Sequence, residues 1–109
     1  MKLDVTELAS NMLEAFKANL KKQWPEVKEY ADSESKKLAE SLVMIERLKF
    51  AGKITEEQAK LHFEIQKNAS RTVLLALEGL GLIAVEQAIN SAIAVLRDSV
   101  NTALGFSLL

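Results

Sequence analysis

The single histidine of the chain, His62, is the first residue that could do chemistry, since imidazole binds metals and transfers protons near neutral pH. A ferritin-like di-iron site needs glutamates from two helices and Glu-x-x-His from two others. Ala59 stands three residues before His62, so that motif is absent. A degenerate ligand set is conceivable, made of Glu34, Glu46, His62 and Glu78. A ferritin-like metal-binding protein or oxidase is therefore an alternative function, while the favoured prediction is that the protein has no metal site and no cofactor.

Nucleophilic catalysis and phosphate binding have even less support. Ser10, Ser70 and Ser91 lie in helical patterns without the G-x-S-x-G context of a nucleophile elbow. The absence of cysteine excludes thiolate catalysis, disulfides and cysteine-based metal centres. The Gly79-Leu80-Gly81 triplet falls far short of a phosphate-binding loop and follows a helix rather than a strand. The sequence thus predicts no catalytic residue and a non-enzymatic protein.

Composition narrows the class of protein further. The chain has 109 residues and a net charge of −1, with 49% hydrophobic residues, which fits one globular domain spanning 1–109. No basic excess or stripe is present, so we expect no nucleic-acid partner. The N-terminal MKLDVTEL contains no apolar signal core, and we expect a cytoplasmic protein.

The spacing of apolar residues predicts four helices, at about 4–23, 26–50, 55–78 and 82–104, followed by an apolar tail at 105–109. Asp4 is placed to cap the first helix, and Trp24-Pro25 to end or kink it, because a residue before proline is pushed out of the α region. The predicted fold class is all-α, an antiparallel, up-down-up-down four-helix bundle.

The connection between the second and third helices has the clearest local signal. Gly52 fits the left-handed position just past a helix end, and Thr55 with Gln58 forms a capping box. An antiparallel helical hairpin is therefore predicted. The stretch Ile45–Gln66 resembles the short C-terminal helical hairpins that end many bacterial proteins, and this resemblance implies the hairpin and no function.

The inner faces of these two helices are less uniform. In the second helix Glu34 and Ser35 interrupt the apolar face, so either its first turns are exposed or Glu34 points inward. The third helix has one charged side, predicted to be solvated: Glu57, Lys60, Glu64, Lys67, Arg71 and Glu78. The opposite side, predicted to face the core, holds Ala59, Phe63, Ala69, Val73 and Leu77.

The stretch Val73–Val85 has an unusual composition for a connection between helices. Glu78 and Glu86 interrupt it, so it cannot supply the roughly 20 apolar residues of a transmembrane helix. The polar stripe of the third helix, projected forward at about 100° per residue, meets apolar positions in the fourth. A break at Gly79–Gly81 removes this conflict. The alternative is a helical hairpin plus one long C-terminal helix in an intertwined dimer.

The functional hypothesis rests on surplus apolar residues. The predicted interaction residues are Trp24, Leu80, Leu82, Ile83, Phe106, Leu108 and Leu109. We expect the apolar junction around Leu80 to be covered by the tail, by the Trp24 corner or by a second subunit. The predicted function is a small structural or protein–protein interaction module that forms a homo-oligomer, with a dimer as the first expectation. A peripheral membrane-associated protein is a further alternative.

Overall fold

A computed structural model of the chain describes residues 2–109. Every regular element in that range is helical: α1 Val5–Asn19, α2 Trp24–Phe50, α3 Glu56–Leu75, α4 Leu82–Ala94 and α5 Arg97–Leu104, with a 3₁₀ turn at Lys21–Gln23. The predicted all-α class is confirmed. Five helices pack together, so the predicted count of four is wrong, and the short fifth helix is additional.

The first helix begins where the sequence indicated and ends earlier. The Asp4 carboxylate accepts a hydrogen bond from the backbone N–H of Thr6 at 2.9 Å, which caps α1. The helix then ends at Asn19 rather than near residue 23, and the 3₁₀ turn follows. Trp24 has φ −52° and ψ −45°, so the expectation that Pro25 would push it out of the α region is wrong. Pro25 fits the first turn of α2, because a backbone N–H at that position has no intrahelical partner and its absence breaks no hydrogen bond.

The hairpin of α2 and α3 follows its sequence signals closely. Gly52 has φ 69°, as a residue just past a helix end requires. The Thr55 hydroxyl accepts from the Gln58 N–H at 3.1 Å, and the Gln58 side-chain oxygen accepts from the Thr55 N–H at 2.9 Å. The predicted capping box is therefore present.

The break between the third and fourth predicted helices is also present. Helix α3 ends at Leu75, three residues before the predicted end, and α4 begins at Leu82. Gly79 has φ 89° in the turn between them, a conformation that glycine adopts without a steric penalty. The alternative fold, with one long helix over the C-terminal half, is therefore wrong.

The predicted fourth helix, 82–104, is divided into α4 and α5. At the division the Leu96 N–H bonds to the Ile93 carbonyl at 3.0 Å, a tighter i→i−3 bond. The Ser99 hydroxyl also donates to the Leu96 carbonyl at 3.2 Å. Neither proline nor glycine marks this division, and the apolar spacing continues across it. The sequence pattern alone therefore predicts one helix.

The core lies where α1 packs against α2 and α4, while α2 also packs against α3 and α5. Its largest fully buried side chains include Met12, Phe16, Leu38, Leu42, Ile45, Leu74 and Ile89. The buried positions of α3 are Ala59, Phe63, Ser70 and Leu74. The predicted inner face is therefore partly wrong, since Ala69 is exposed and Val73 is only half-buried.

Candidate interaction surface

The four residues considered as metal ligands are held apart by separate partners. Glu34 on α2 accepts a hydrogen bond from the Ser70 hydroxyl on α3 at 2.9 Å. Glu46, on the same helix, accepts the backbone N–H groups of residues 2 and 3 at 3.0 and 3.2 Å. His62 Nδ1 lies 3.4 Å from the Ser41 hydroxyl oxygen, and Glu78 is exposed. Within residues 2–109 no three His, Asp or Glu side chains are grouped to hold a metal ion.

The two buried glutamates connect separate parts of the chain. Of the two alternatives for Glu34, the inward orientation is the one observed, and its second oxygen accepts from the Lys37 ammonium at 3.2 Å. Glu46 is fully buried and ties the N-terminal segment to α2. A buried carboxylate needs donors to replace its lost hydration. Both side chains therefore have a structural use that accounts for their burial.

The pair of Ser41 and His62 lies along a shallow groove between α2 and α3. This groove has a volume of about 230 Å³, and Lys37, Met44 and Gln66 also line it. Ser41 is buried, which leaves little of it open to a substrate. Ser41 and His62 are therefore a nucleophile and a base within hydrogen-bonding distance, but the nucleophile is not exposed to a substrate.

The residues predicted to interact are divided by the structure into two groups. Leu80 is buried, and four others pack partly buried against the core: Trp24, Phe106, Leu108 and Leu109. Leu82 and Ile83 remain 59% and 75% exposed. The expected cover over the junction is thus absent for these two residues within residues 2–109. That these seven residues contact a partner stays a prediction.

The apolar tail covers the end of the molecule opposite the α3–α4 junction. Asn101 holds it: its side-chain oxygen accepts from the Leu108 and Leu109 N–H groups at 2.9 and 3.0 Å. The Lys49 ammonium lies 5.5 Å from the centre of the Phe106 ring, near the end of α2. The tail is therefore occupied within its own chain and does not reach Leu82.

The outer side of α3 carries an apolar-rich seam, which we call the α3 seam. Its five positions are Leu61, Ile65, Asn68, Thr72 and Leu75, spaced by four, three, four and three residues. Leu61 and Ile65 are 66% and 71% exposed, and the other three positions are exposed as well. This spacing is the heptad pattern of helices that pack against each other side by side. The seam lies on the side of α3 opposite its buried positions.

Charged residues border the α3 seam along one flank and do not enter it. Glu57, Glu64 and Arg71 follow one flank, while His62 and Ala69 follow the other. None of the five seam positions carries a charge. Depletion of charge at the centre with charge at the rim is typical of protein interfaces.

The two exposed residues of the junction adjoin one end of the α3 seam. Arg71 on α3 forms an ion pair with Glu86 on α4, which places these two residues level with each other. One turn further along, Leu75 comes level with Leu82. Leu82 and Ile83 therefore extend the α3 seam at its C-terminal end. They are the only members of the predicted interaction set that join this surface.

The main part of this surface was missed by sequence reasoning. The predicted faces of the third helix were a charged side and a core side, and neither included Leu61 or Ile65. The available signal was the heptad spacing from Leu61 to Leu75, which is separate from the spacing of the buried residues.

Comparison of the chain with protein-family models, with curated proteins and with solved structures finds no match. Within residues 2–109, no helix is both long enough and apolar enough to cross a membrane.

Proposed function

We propose that this protein is a non-enzymatic helical interaction module that self-associates through the α3 seam. The observation that carries the proposal is an uncharged, heptad-spaced, exposed face on a helix whose opposite face is already buried. In this proposal α1 to α4 form the antiparallel, up-down-up-down scaffold first expected from the sequence. Helix α5 and the tail close one end, and Leu82 and Ile83 enlarge the surface at the other.

The energetic argument depends on α3 being ordered before it meets a partner. An isolated helix of this length is marginal in water, so most coiled-coil segments must be ordered as they associate. Here the buried positions Phe63 and Leu74 already hold α3 in place. Burying an exposed leucine or isoleucine then contributes about 1.5–3 kcal/mol with little loss of backbone freedom. Five seam positions offer less area than the roughly 1,200–2,000 Å² that stable interfaces bury, so we expect weak, concentration-dependent association.

Replacing Ile65 with glutamate is expected to make the protein monomeric, because the change places a charge at the centre of the α3 seam. Size-exclusion chromatography with light scattering over a wide concentration range measures the effect. The matched control is Val95→Glu, since Val95 is 57% exposed and lies outside the seam on the turn between α4 and α5. The control should keep the wild-type mass. A wild-type protein that stays monomeric at the highest concentration reached would contradict the proposed function.

A further inference from the structure

We propose that the α3 seam pairs with the α3 seam of a second copy, parallel and in register, so that each seam residue meets its own counterpart. This inference rests on the proposed function and adds the orientation and the register of the two copies. Three features of the seam point to it: the residue types at its alternate positions, the polar residue at its middle, and the charges along its flanks.

The residue types follow the preference of parallel two-stranded coiled coils. In heptad notation Ile65 and Thr72 occupy a positions, while Leu61, Asn68 and Leu75 occupy d positions. Both a residues are β-branched, and two of the three d residues are leucine. β-Branched residues at a with leucine at d favour two parallel strands.

The middle of the seam fixes the register. In register, Asn68 faces Asn68 of the second copy, and two side-chain amides can hydrogen-bond to each other. Asn68 Oδ1 accepts from Arg71 through one lone pair, so its second lone pair can accept from the amide nitrogen of the other Asn68. A shift of one heptad sets Asn68 against Leu61 or Leu75, where a buried amide has no partner. The in-register arrangement also brings leucine onto leucine and isoleucine onto isoleucine.

Each antiparallel register fails on charge or on packing. The register that sets Leu61 on Ile65 pairs Glu57 with Arg71 but brings Glu64 opposite Glu64 of the second copy, and it leaves Thr72 and Leu75 beyond the start of the partner helix at Glu56. The register that sets Ile65 on Leu75 brings Arg71 opposite Arg71. The one that pairs Glu64 with Arg71 favourably sets Leu61 on Thr72 and Ile65 on Asn68, so apolar residues meet polar ones. In the parallel register Glu57 faces His62 and Glu64 faces Ala69, so no like charges meet.

Disulfide cross-linking tests this inference, because the chain has no cysteine of its own. The variants are Leu61→Cys and Thr72→Cys, about 16 Å apart along the helix. Glu14→Cys, an exposed position on α1, is the control. Under mild oxidation we expect both seam variants to form disulfide dimers about tenfold or more faster than the control, because association raises the local thiol concentration. Melting temperatures near the wild-type value show that each variant folds.

The other outcomes separate the two proposals. An antiparallel pair can bring Leu61→Cys or Thr72→Cys close to its own counterpart, but not both, since the two are far apart along the helix. A dimer at only one position, or a dimer formed only when the two variants are mixed, overturns the parallel register and keeps self-association. Cross-linking at the control rate in every case overturns both.

Discussion

Replacing Ser70 with alanine is expected to lower the free energy of unfolding by about 2–3 kcal/mol, because hydrogen bonds to buried charged groups contribute about that much. Ser70 and Glu34 are both buried, and the serine hydroxyl donates to the carboxylate at 2.9 Å. Without that hydroxyl, the hydrogen-bond donor left to the Glu34 carboxylate is the ammonium of Lys37, a side chain that is half exposed. Urea denaturation of the two proteins measures the difference.

The chain offers a matched control one residue from Glu34. Ser35 is equally buried, but its hydroxyl has no hydrogen-bond partner within residues 2–109. Ser35→Ala is therefore expected to leave the unfolding free energy unchanged or to raise it slightly. The double variant Glu34→Leu with Ser70→Ala should recover much of the loss, because it removes both partners together. Equal losses for Ser70→Ala and Ser35→Ala would show that the hydrogen bond between α2 and α3 does not stabilise the fold.

Replacing Glu46 with glutamine is expected to lower the free energy of unfolding by about 2–3 kcal/mol and to release the N-terminal segment. Each carboxylate oxygen of Glu46 accepts one backbone N–H, from Lys2 and from Leu3. Glutamine has one oxygen and one NH₂ group, so its NH₂ donor would face one of the two backbone N–H groups, which is a donor as well. Urea denaturation and the hydrogen-exchange rate of the Leu3 amide measure the two effects.

Glu40→Gln is the matched control for this change. Glu40 is exposed on the same helix, and its substitution should alter neither quantity. Faster exchange at Leu3 without loss of stability would mean that the segment docks independently of the core. No change in either quantity would remove the structural use assigned to Glu46.

The sequence predicted those features that are fixed by interactions between near neighbours. Gly52, Thr55 and Gln58 determine the hairpin through a left-handed backbone and two hydrogen bonds within one turn. Gly79 likewise marks the turn before α4. In each case the residue type itself restricts the backbone, so no knowledge of distant contacts is needed.

The features that were missed depend on packing between distant residues. The division at Leu96 has no glycine or proline, and burying Leu96 while Val95 stays exposed follows from the position of the surrounding helices. The inner face of α3 includes Ser70 because Glu34 on another helix needs a donor. The predicted core side therefore omitted Ser70, and the α3 seam on the opposite side of the helix was not recognised.

The most direct test of self-association through the α3 seam uses opposite charges at one position. Leu61→Glu and Leu61→Lys are studied by sedimentation equilibrium, each alone and in an equal mixture. Each variant alone is predicted to be monomeric, because like charges would meet across the seam, and the mixture to form a heterodimer in which Glu faces Lys. If each variant alone sediments as the wild-type protein does, and mixing the two changes nothing, the α3 seam is contradicted as the site of association.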